Sequence, residues 1–143
     1  MATWVTIDAS VLVKAFVREK DSDKADALFA SDTVLIAPAH ALAEVGDVLY
    51  RKLRGGQITE EQLRLAYIGL PGSFQPVPLE SILQQAIEVA IEIEHSVYDC
   101  LYLVVAQRHD CQLVTADTKF VAKVRQTRFG SRVVNLADFA VAG

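Results

Sequence analysis

Four carboxylates in this chain stand where their neighbours would not choose them. Asp8 ends the apolar run Trp4-Val5-Thr6-Ile7, and Asp117 follows the similar run Leu113-Val114-Thr115. Glu44 sits among Ala41, Leu42, Ala43 and Val45, and Asp99 interrupts the most apolar stretch of the chain. Each has an ordinary role open to it: Asp8 and Asp117 can cap the helices that follow, Asp99 can be the third-position partner of Ser96 in a capping box, and Glu44 can face water. Together they imply more, because carboxylates gathered in one pocket repel and their ionised forms are costly unless a cation compensates. The donors are oxygens, His40, His95 and His109 are scattered, and Cys100 and Cys111 lack metal-type spacing. Such a set selects a hard divalent ion, Mg2+ or Mn2+, over zinc. That ion polarises a phosphodiester and activates water for attack on it.

The elements that must position these groups are legible in the apolar pattern. Trp4 to Ser10 reads as a strand buried on both faces, as in the middle of a parallel sheet, and ligands of open α/β sheets bind beyond the carboxyl ends of such strands. Ser10 is expected to cap a short helix through Val11, Leu12, Ala15 and Phe16, and the charged Arg18 to Asp23 segment to be an exposed turn. A helix with Ala25, Leu28 and Phe29 inside leads to a second apolar strand, Val34 to Ala37, and Pro38 is expected in the first turn of the next helix. That helix runs to about Leu53 and stops at Gly55-Gly56. Thr59-Glu60-Glu61-Gln62 matches a capping box for its hairpin partner, which ends at Pro71-Gly72.

Phe74 to Leu79, with Pro76 and Pro78, suits only a short edge strand. Ser81 with Gln84 is a second possible capping box, and Ser96 starts a helix apolar on nearly every side, which implies burial against the sheet. Leu113 to Thr115 is a third buried strand. A basic helix from Thr118 to about Arg128, a short strand at Val133-Val134 and a closing helical turn complete the chain. Strands alternating with helices throughout predict a parallel, three-layer α/β/α sandwich. In a parallel sheet the strand ends and the following helix starts share one edge, so all four carboxylates can converge there.

Composition bounds the rest. At 143 residues and 52% hydrophobic the chain is about one domain long, and residues 1–143 are expected to form a single domain. The two cysteines read as reduced thiols, which favours a cytoplasmic protein. No apolar run approaches the roughly 20 residues that span a bilayer, so no membrane partner is expected. A net charge of −4 argues against nonspecific coating of nucleic acid.

Ile7-Asp8-Ala9-Ser10-Val11 with Lys14, Ala37-Pro38 followed by Glu44-Val45, Tyr98-Asp99-Cys100-Leu101-Tyr102-Leu103, and Leu113-Val114-Thr115-Ala116-Asp117 resemble, in order, the motifs of the PIN-domain ribonucleases. The look is that of the VapC-type toxins of toxin–antitoxin pairs, and it covers essentially the whole chain. The resemblance implies a PIN-like fold and an Mg2+- or Mn2+-dependent endoribonuclease. It implies Asp8, Glu44, Asp99 and Asp117 as metal ligands, with Thr115 supporting the site from its strand. It also implies homodimers, and an antitoxin lying across the active-site groove. Where many relatives carry Asn three residues after the Glu, this chain has Asp47, which joins Ser10 as a possible supporting group beside the ligands.

RNA must then be held near an acidic pocket. Lys14, Lys119, Lys123 and Arg125 are the candidate phosphate contacts, with Arg51, Lys52, Arg54 and Arg128 as further cations near helix ends. Two rival readings remain at this level. A phosphatase using Asp8 as nucleophile would want a second Asp where this chain has Ser10, and a non-catalytic PIN-like interaction module would have no need of four intact acids.

Overall fold

The strand that begins at Trp4 is the middle of the sheet. The computed structural model describes residues 3–141, and in it Trp4–Ile7 (β1), Val34–Pro38 (β2), Gln75–Val77 (β3), Gln112–Thr115 (β4) and Val133–Asn135 (β5) pair in parallel in the order β3-β2-β1-β4-β5. Val5 lies opposite Leu35 on one side and Gln112 on the other. Val5, Thr6 and Ile7 are almost completely buried, as their unbroken apolar run requires of a strand covered on both faces. Chain order reverses about β1, with β2 to one side and β4 to the other. The two strand ends there deliver Asp8 and Asp117.

Among the described residues seven α-helices complete the three layers: Ala9–Leu12 (α1), Ser22–Ala30 (α2), Ala41–Arg54 (α3), Glu60–Gly69 (α4), Leu83–Ile93 (α5), Val97–Arg108 (α6) and Thr118–Arg125 (α7). Helix α6 packs against β1, β2, β4 and α5 at once. Cys100 through Ala106 are all buried, so the middle of this helix has no solvated face and no amphipathic signature, and only its ends, at Tyr98 and Arg108, are exposed. The α3–α4 hairpin forms as its pattern predicts. Thr59 accepts from the Gln62 amide at 3.1 Å while the Gln62 side chain accepts from the Thr59 amide at 2.8 Å, the reciprocal pair of a capping box. The proline-bearing segment is the edge strand β3, where a missing N–H does least harm.

Several local expectations are corrected. Ser10 lies inside α1, and Asp8 is the cap, accepting from the Val11 amide. Pro38 is the last residue of β2, and α3 begins three residues later, because the Ala39 amide continues sheet pairing to the Val77 carbonyl at 2.9 Å. Ser81 caps nothing: its hydroxyl donates to the Pro78 carbonyl at 2.8 Å, and α5 begins at Leu83 without a side-chain cap. The Arg18 to Asp23 segment is not simply exposed, since Ser22 is buried and its hydroxyl accepts from the Glu19 amide at 2.8 Å.

Candidate metal centre

The site is assembled from two kinds of carboxylate. Asp8 and Asp117 follow parallel neighbouring strands and are stitched together by hydroxyls. Asp8 Oδ1 accepts from Ser10 Oγ at 2.5 Å and from the Val11 amide at 3.3 Å, while Oδ2 accepts from the Thr115 hydroxyl across the β1–β4 pair. Thr115 Oγ1 in turn accepts from the Asp117 amide at 3.0 Å, and Ser10 Oγ from the Ala116 amide at 2.9 Å. Asp117 caps α7 by accepting from the Phe120 amide at 3.1 Å. One oxygen of Asp117 serves the helix, and the hydroxyls of Ser10 and Thr115 hold the two strand ends in register.

Glu44 and Asp99 come from the first turns of α3 and α6. Glu44 Oε1 accepts from the Tyr102 hydroxyl at 2.8 Å, and His40 Nε2 lies 2.7 Å from the same oxygen. Asp99 Oδ2 lies 2.6 Å from His95 Nε2. The histidines that look scattered in sequence thus include two that sit four residues before a site acid. His40-x-x-x-Glu44 and His95-x-x-x-Asp99 are legible as helical-spacing pairs, and a search for ligands alone passes over them.

Asp8 and Glu44 differ electrostatically. Burial pushes Asp8 up to about 6, against hydrogen bonds from Ser10, Thr115 and the Val11 amide that lower it, and the negative charge of Asp99 adds to the rise. Burial also raises Glu44, but the hydrogen bonds from His40 and Tyr102 outweigh it and leave that carboxyl below its ordinary range. Tyr102 is buried beside Glu44 and Asp8, and burial with those charges drives its phenol far above the usual value, so it stays a donor.

The acids reach one edge of the sheet without closing on one point. Among the described residues, no group of three or more His, Cys, Asp or Glu side chains is drawn together tightly enough to hold a metal ion. Each carboxylate accepts from donors of its own: Asp8 from Ser10 and Thr115, Asp117 from the Phe120 amide, Glu44 from Tyr102 and Asp99 from His95. The donor set still fits a hard divalent ion. It consists of carboxylate and hydroxyl oxygens, and the most buried carboxylate, Asp8, carries a raised pKa that a neighbouring cation would relieve.

Of the predicted phosphate contacts, Lys14 is excluded. Its ammonium is buried, donating to Glu19 at 3.0 Å and to the Lys20 carbonyl at 2.7 Å, and the same Glu19 holds Lys52 at 3.1 Å. Lys123 is committed to the Glu94 carbonyl at the end of α5, and Arg128 to Glu92 through two bonds of 2.7 and 3.0 Å. Lys119 and Arg125 are exposed. Asp47 is exposed and paired with Arg51 at 3.3 Å. It lines a shallow cleft of about 270 Å³ that also contains Glu44 and Tyr98.

The chain is similar to known proteins. The family model of the PIN domain matches residues 5–125, a span that carries all four acids. Ribonuclease VapC1 of Mycobacterium tuberculosis is 30% identical over 118 residues, covering 81% of this chain and 87% of its own. Among solved structures, PAE2754 from Pyrobaculum aerophilum superposes with a TM-score of 0.69 at 24% identity, over 96% of this chain and 86% of that one. Mycobacterium tuberculosis VapC20, described as a sarcin-ricin loop cleaving toxin, has a TM-score of 0.64 at 21% identity, over 82% of this chain and 93% of its own. A toxin–antitoxin complex from Klebsiella pneumoniae gives a TM-score of 0.60 at 18% identity, over 92% and 97% of the two chains. A model match across most of the chain, joined to a five-stranded parallel sheet with four acids at its carboxyl edge, leads to one conclusion: this chain belongs to the PIN-domain family.

Proposed function

We propose that this protein is a divalent-metal-dependent endoribonuclease and the toxin of a toxin–antitoxin pair. The observation that carries the reading is the delivery of Asp8, Glu44, Asp99 and Asp117 to the carboxyl edge of the sheet by strand ends and helix starts, in a PIN-family chain 30% identical to a ribonuclease. Asp8, Asp99 and Asp117 would hold Mg2+ or Mn2+, with Glu44 completing the set or orienting the attacking water. When bound, the ion supplies Lewis acidity and a water activated at neutral pH. The chain's own residues do the rest. Thr115 and Ser10 fix the Asp8 carboxylate on its strand end, and Tyr102 holds Glu44 ionised beside it. Lys119, exposed in the first turn of α7 beside Asp117, and Arg125, exposed at the far end of that helix, are the phosphate contacts of this reading. The product end is a 5′-phosphate. Ser10 donating to Asp8 opposes the phosphatase alternative, since a nucleophilic Asp would need a second acid there.

The partner reading rests on the α3–α4 hairpin. A cleft of about 540 Å³ between these helices is lined almost wholly by carbon, including Leu42, Leu49, Leu63, Tyr67 and Leu70. Tyr67 and Ile68 are 73% exposed beside it, a patch that marks an interaction site. In the proposed reading an antitoxin segment covers this face in the cytoplasm, and the toxin is a homodimer. Among the described residues no helix is long and apolar enough to cross a membrane.

The test is cleavage of structured RNA across an Mg2+ and Mn2+ series, with a chelator control and an Asp8→Asn variant, and with the new ends assayed for 5′-phosphate. Metal-dependent cuts lost in Asp8→Asn support the reading. Cleavage that survives the chelator, or no cleavage by wild type in either ion, rejects it. For the partner face, Tyr67→Glu and Ile68→Glu should weaken antitoxin binding, and unchanged affinity would place the antitoxin elsewhere.

A further inference from the structure

Each of the two helix-borne acids is gripped by one oxygen only. Glu44 Oε1 takes both the Tyr102 hydroxyl at 2.8 Å and His40 Nε2 at 2.7 Å, whereas Oε2 takes no hydrogen bond from the described residues. Asp99 Oδ2 takes His95 Nε2 at 2.6 Å, and Oδ1 is likewise without one. The proton on His40 can be assigned from its neighbours. Nε2 also lies 3.1 Å from the Tyr98 carbonyl, which only accepts, so this nitrogen carries the hydrogen and donates it there while Glu44 Oε1 lies 2.7 Å from the same nitrogen. His40 Nε2 thereby touches both Glu44 on α3 and the residue directly before Asp99 on α6.

Packing alone does not account for these histidines. The His40 side chain is 8% exposed and its Nδ1 is buried without a partner, a cost that an apolar side chain of similar size would avoid. Both rings are held in place by aromatic neighbours: His40 lies 4.9 Å from the Tyr102 ring, and His95 lies 4.9 Å from Phe120 of α7. Asp8 and Asp117 need no such device, because their own caps and hydroxyl bonds orient them. A glutamate or aspartate on a helix surface has rotamer freedom that must be lost before it can ligate in one geometry. Donors behind a ligating group are the usual means of removing that freedom.

We infer that His40 with Tyr102, and His95, are positioning residues that each hold one oxygen of Glu44 and Asp99 so that the other is left to the metal ion. The inference rests on the metal-site reading above. It also explains why two of the three histidines lie four residues before an acid, while His109 stacks on Trp4 and its Nδ1 donates to the Val105 carbonyl at 3.0 Å.

The experiment uses the full chain and five variants: His40→Ala, His40→Gln, Tyr102→Phe, His95→Ala, and His109→Gln as control. Mn2+ affinity is measured by titration calorimetry, kcat and KM on one RNA substrate, and melting temperature in chelator. The expected result is Mn2+ binding and kcat each reduced about 10–100-fold in His40→Ala, Tyr102→Phe and His95→Ala, with KM for RNA little changed. His40→Gln, which keeps an N–H donor, should recover much of the loss, and His109→Gln should match wild type. Variants that melt earlier yet bind Mn2+ and turn over like wild type would overturn the inference and leave the histidines a scaffolding role. Tyr102→Phe and His95→Ala lie on different elements from His40, so a failure of His40→Ala to fold does not remove the test. If wild type and His109→Gln themselves bind no Mn2+, the metal reading falls and takes the inference with it, an outcome distinct from selective failure of the histidines.

Discussion

The strand-borne acids and the helix-borne acids solve the same problem in opposite ways. Asp8 is placed by β1 and buried there, and that burial pushes its pKa up to about 6 against the hydrogen bonds it accepts, with a smaller rise from Asp99. Glu44 is placed by α3, and donors from His40 and Tyr102 leave it below the ordinary carboxylate range. A strand inside a parallel sheet has little freedom to move its end, so position comes with the fold and charge is the difficulty. A helix turn presents a side chain with more freedom, so orientation is the difficulty and hydrogen bonds supply it. The difference locates where a cation is most needed, at Asp8, and where orientation depends most on neighbours, at Glu44 and Asp99.

The sharpest way to break the comparison is to remove a ligand from each kind. Asp8→Asn and Asp99→Asn should each lose cleavage by about 10³-fold or more, and the double variant should be no worse, because groups that act as one unit are strongly non-additive. Single-turnover rates in Mg2+ decide it. Asp99→Asn cutting at the wild-type rate would remove the helix-borne acid from the site.

The pH dependence of metal-free stability comes next. Between the ordinary Asp8 value of 3.8 and its folded value of about 6, the folded chain holds a proton that the unfolded chain has released. Asp8 therefore makes the protein less stable as pH rises through that window, by up to about 3 kcal/mol. Glu44 has the opposite sign: lowered in the fold, it contributes stability present above its ordinary value of 4.5 and lost as pH falls through its folded value. Urea denaturation in chelator from about pH 4 to 7 should show Asp8→Asn flattening the decline. Identical slopes in wild type and Asp8→Asn would show that burial does not raise the Asp8 carboxyl in the fold.

Thr115→Val tests the hydroxyl stitching on the strand side. It removes the donor to Asp8 and the acceptor for the Asp117 amide, and should cost about 1 kcal/mol or somewhat more in stability, with cleavage reduced by roughly 10–100-fold. Cleavage at the wild-type level would mean that the strand ends hold the acids without it. The smallest effect is expected at Asp47, which is exposed and paired with Arg51. Asp47→Asn should stay within about 0.5 kcal/mol of wild type in stability, with superimposable Mg2+ curves. A shift to higher Mg2+ would return Asp47 to the site.

The sequence alone determined the parallel α/β order and the central strand, because Trp4 to Ile7 and Leu113 to Thr115 are apolar without alternation, a pattern that only strands covered on both faces require. It also determined which acids were out of place, since Asp99 inside an otherwise apolar helix conflicts with its surroundings whatever the fold. Local capping was read less well. Whether Asp8 or Ser10 caps α1, and whether Pro38 ends a strand or begins a helix, depends on hydrogen bonds to Thr115 and Val77, 107 residues away in the first case. Tertiary structure alone decided the partners. That Tyr102 reaches Glu44 across 58 residues, that Lys14 is consumed by Glu19 and the Lys20 carbonyl, and that His95 packs on Phe120 follow from how α6 lies across the sheet and how the loops close. Spacing along one chain specifies which face of an element a residue occupies, and the packing of different elements specifies what that face meets.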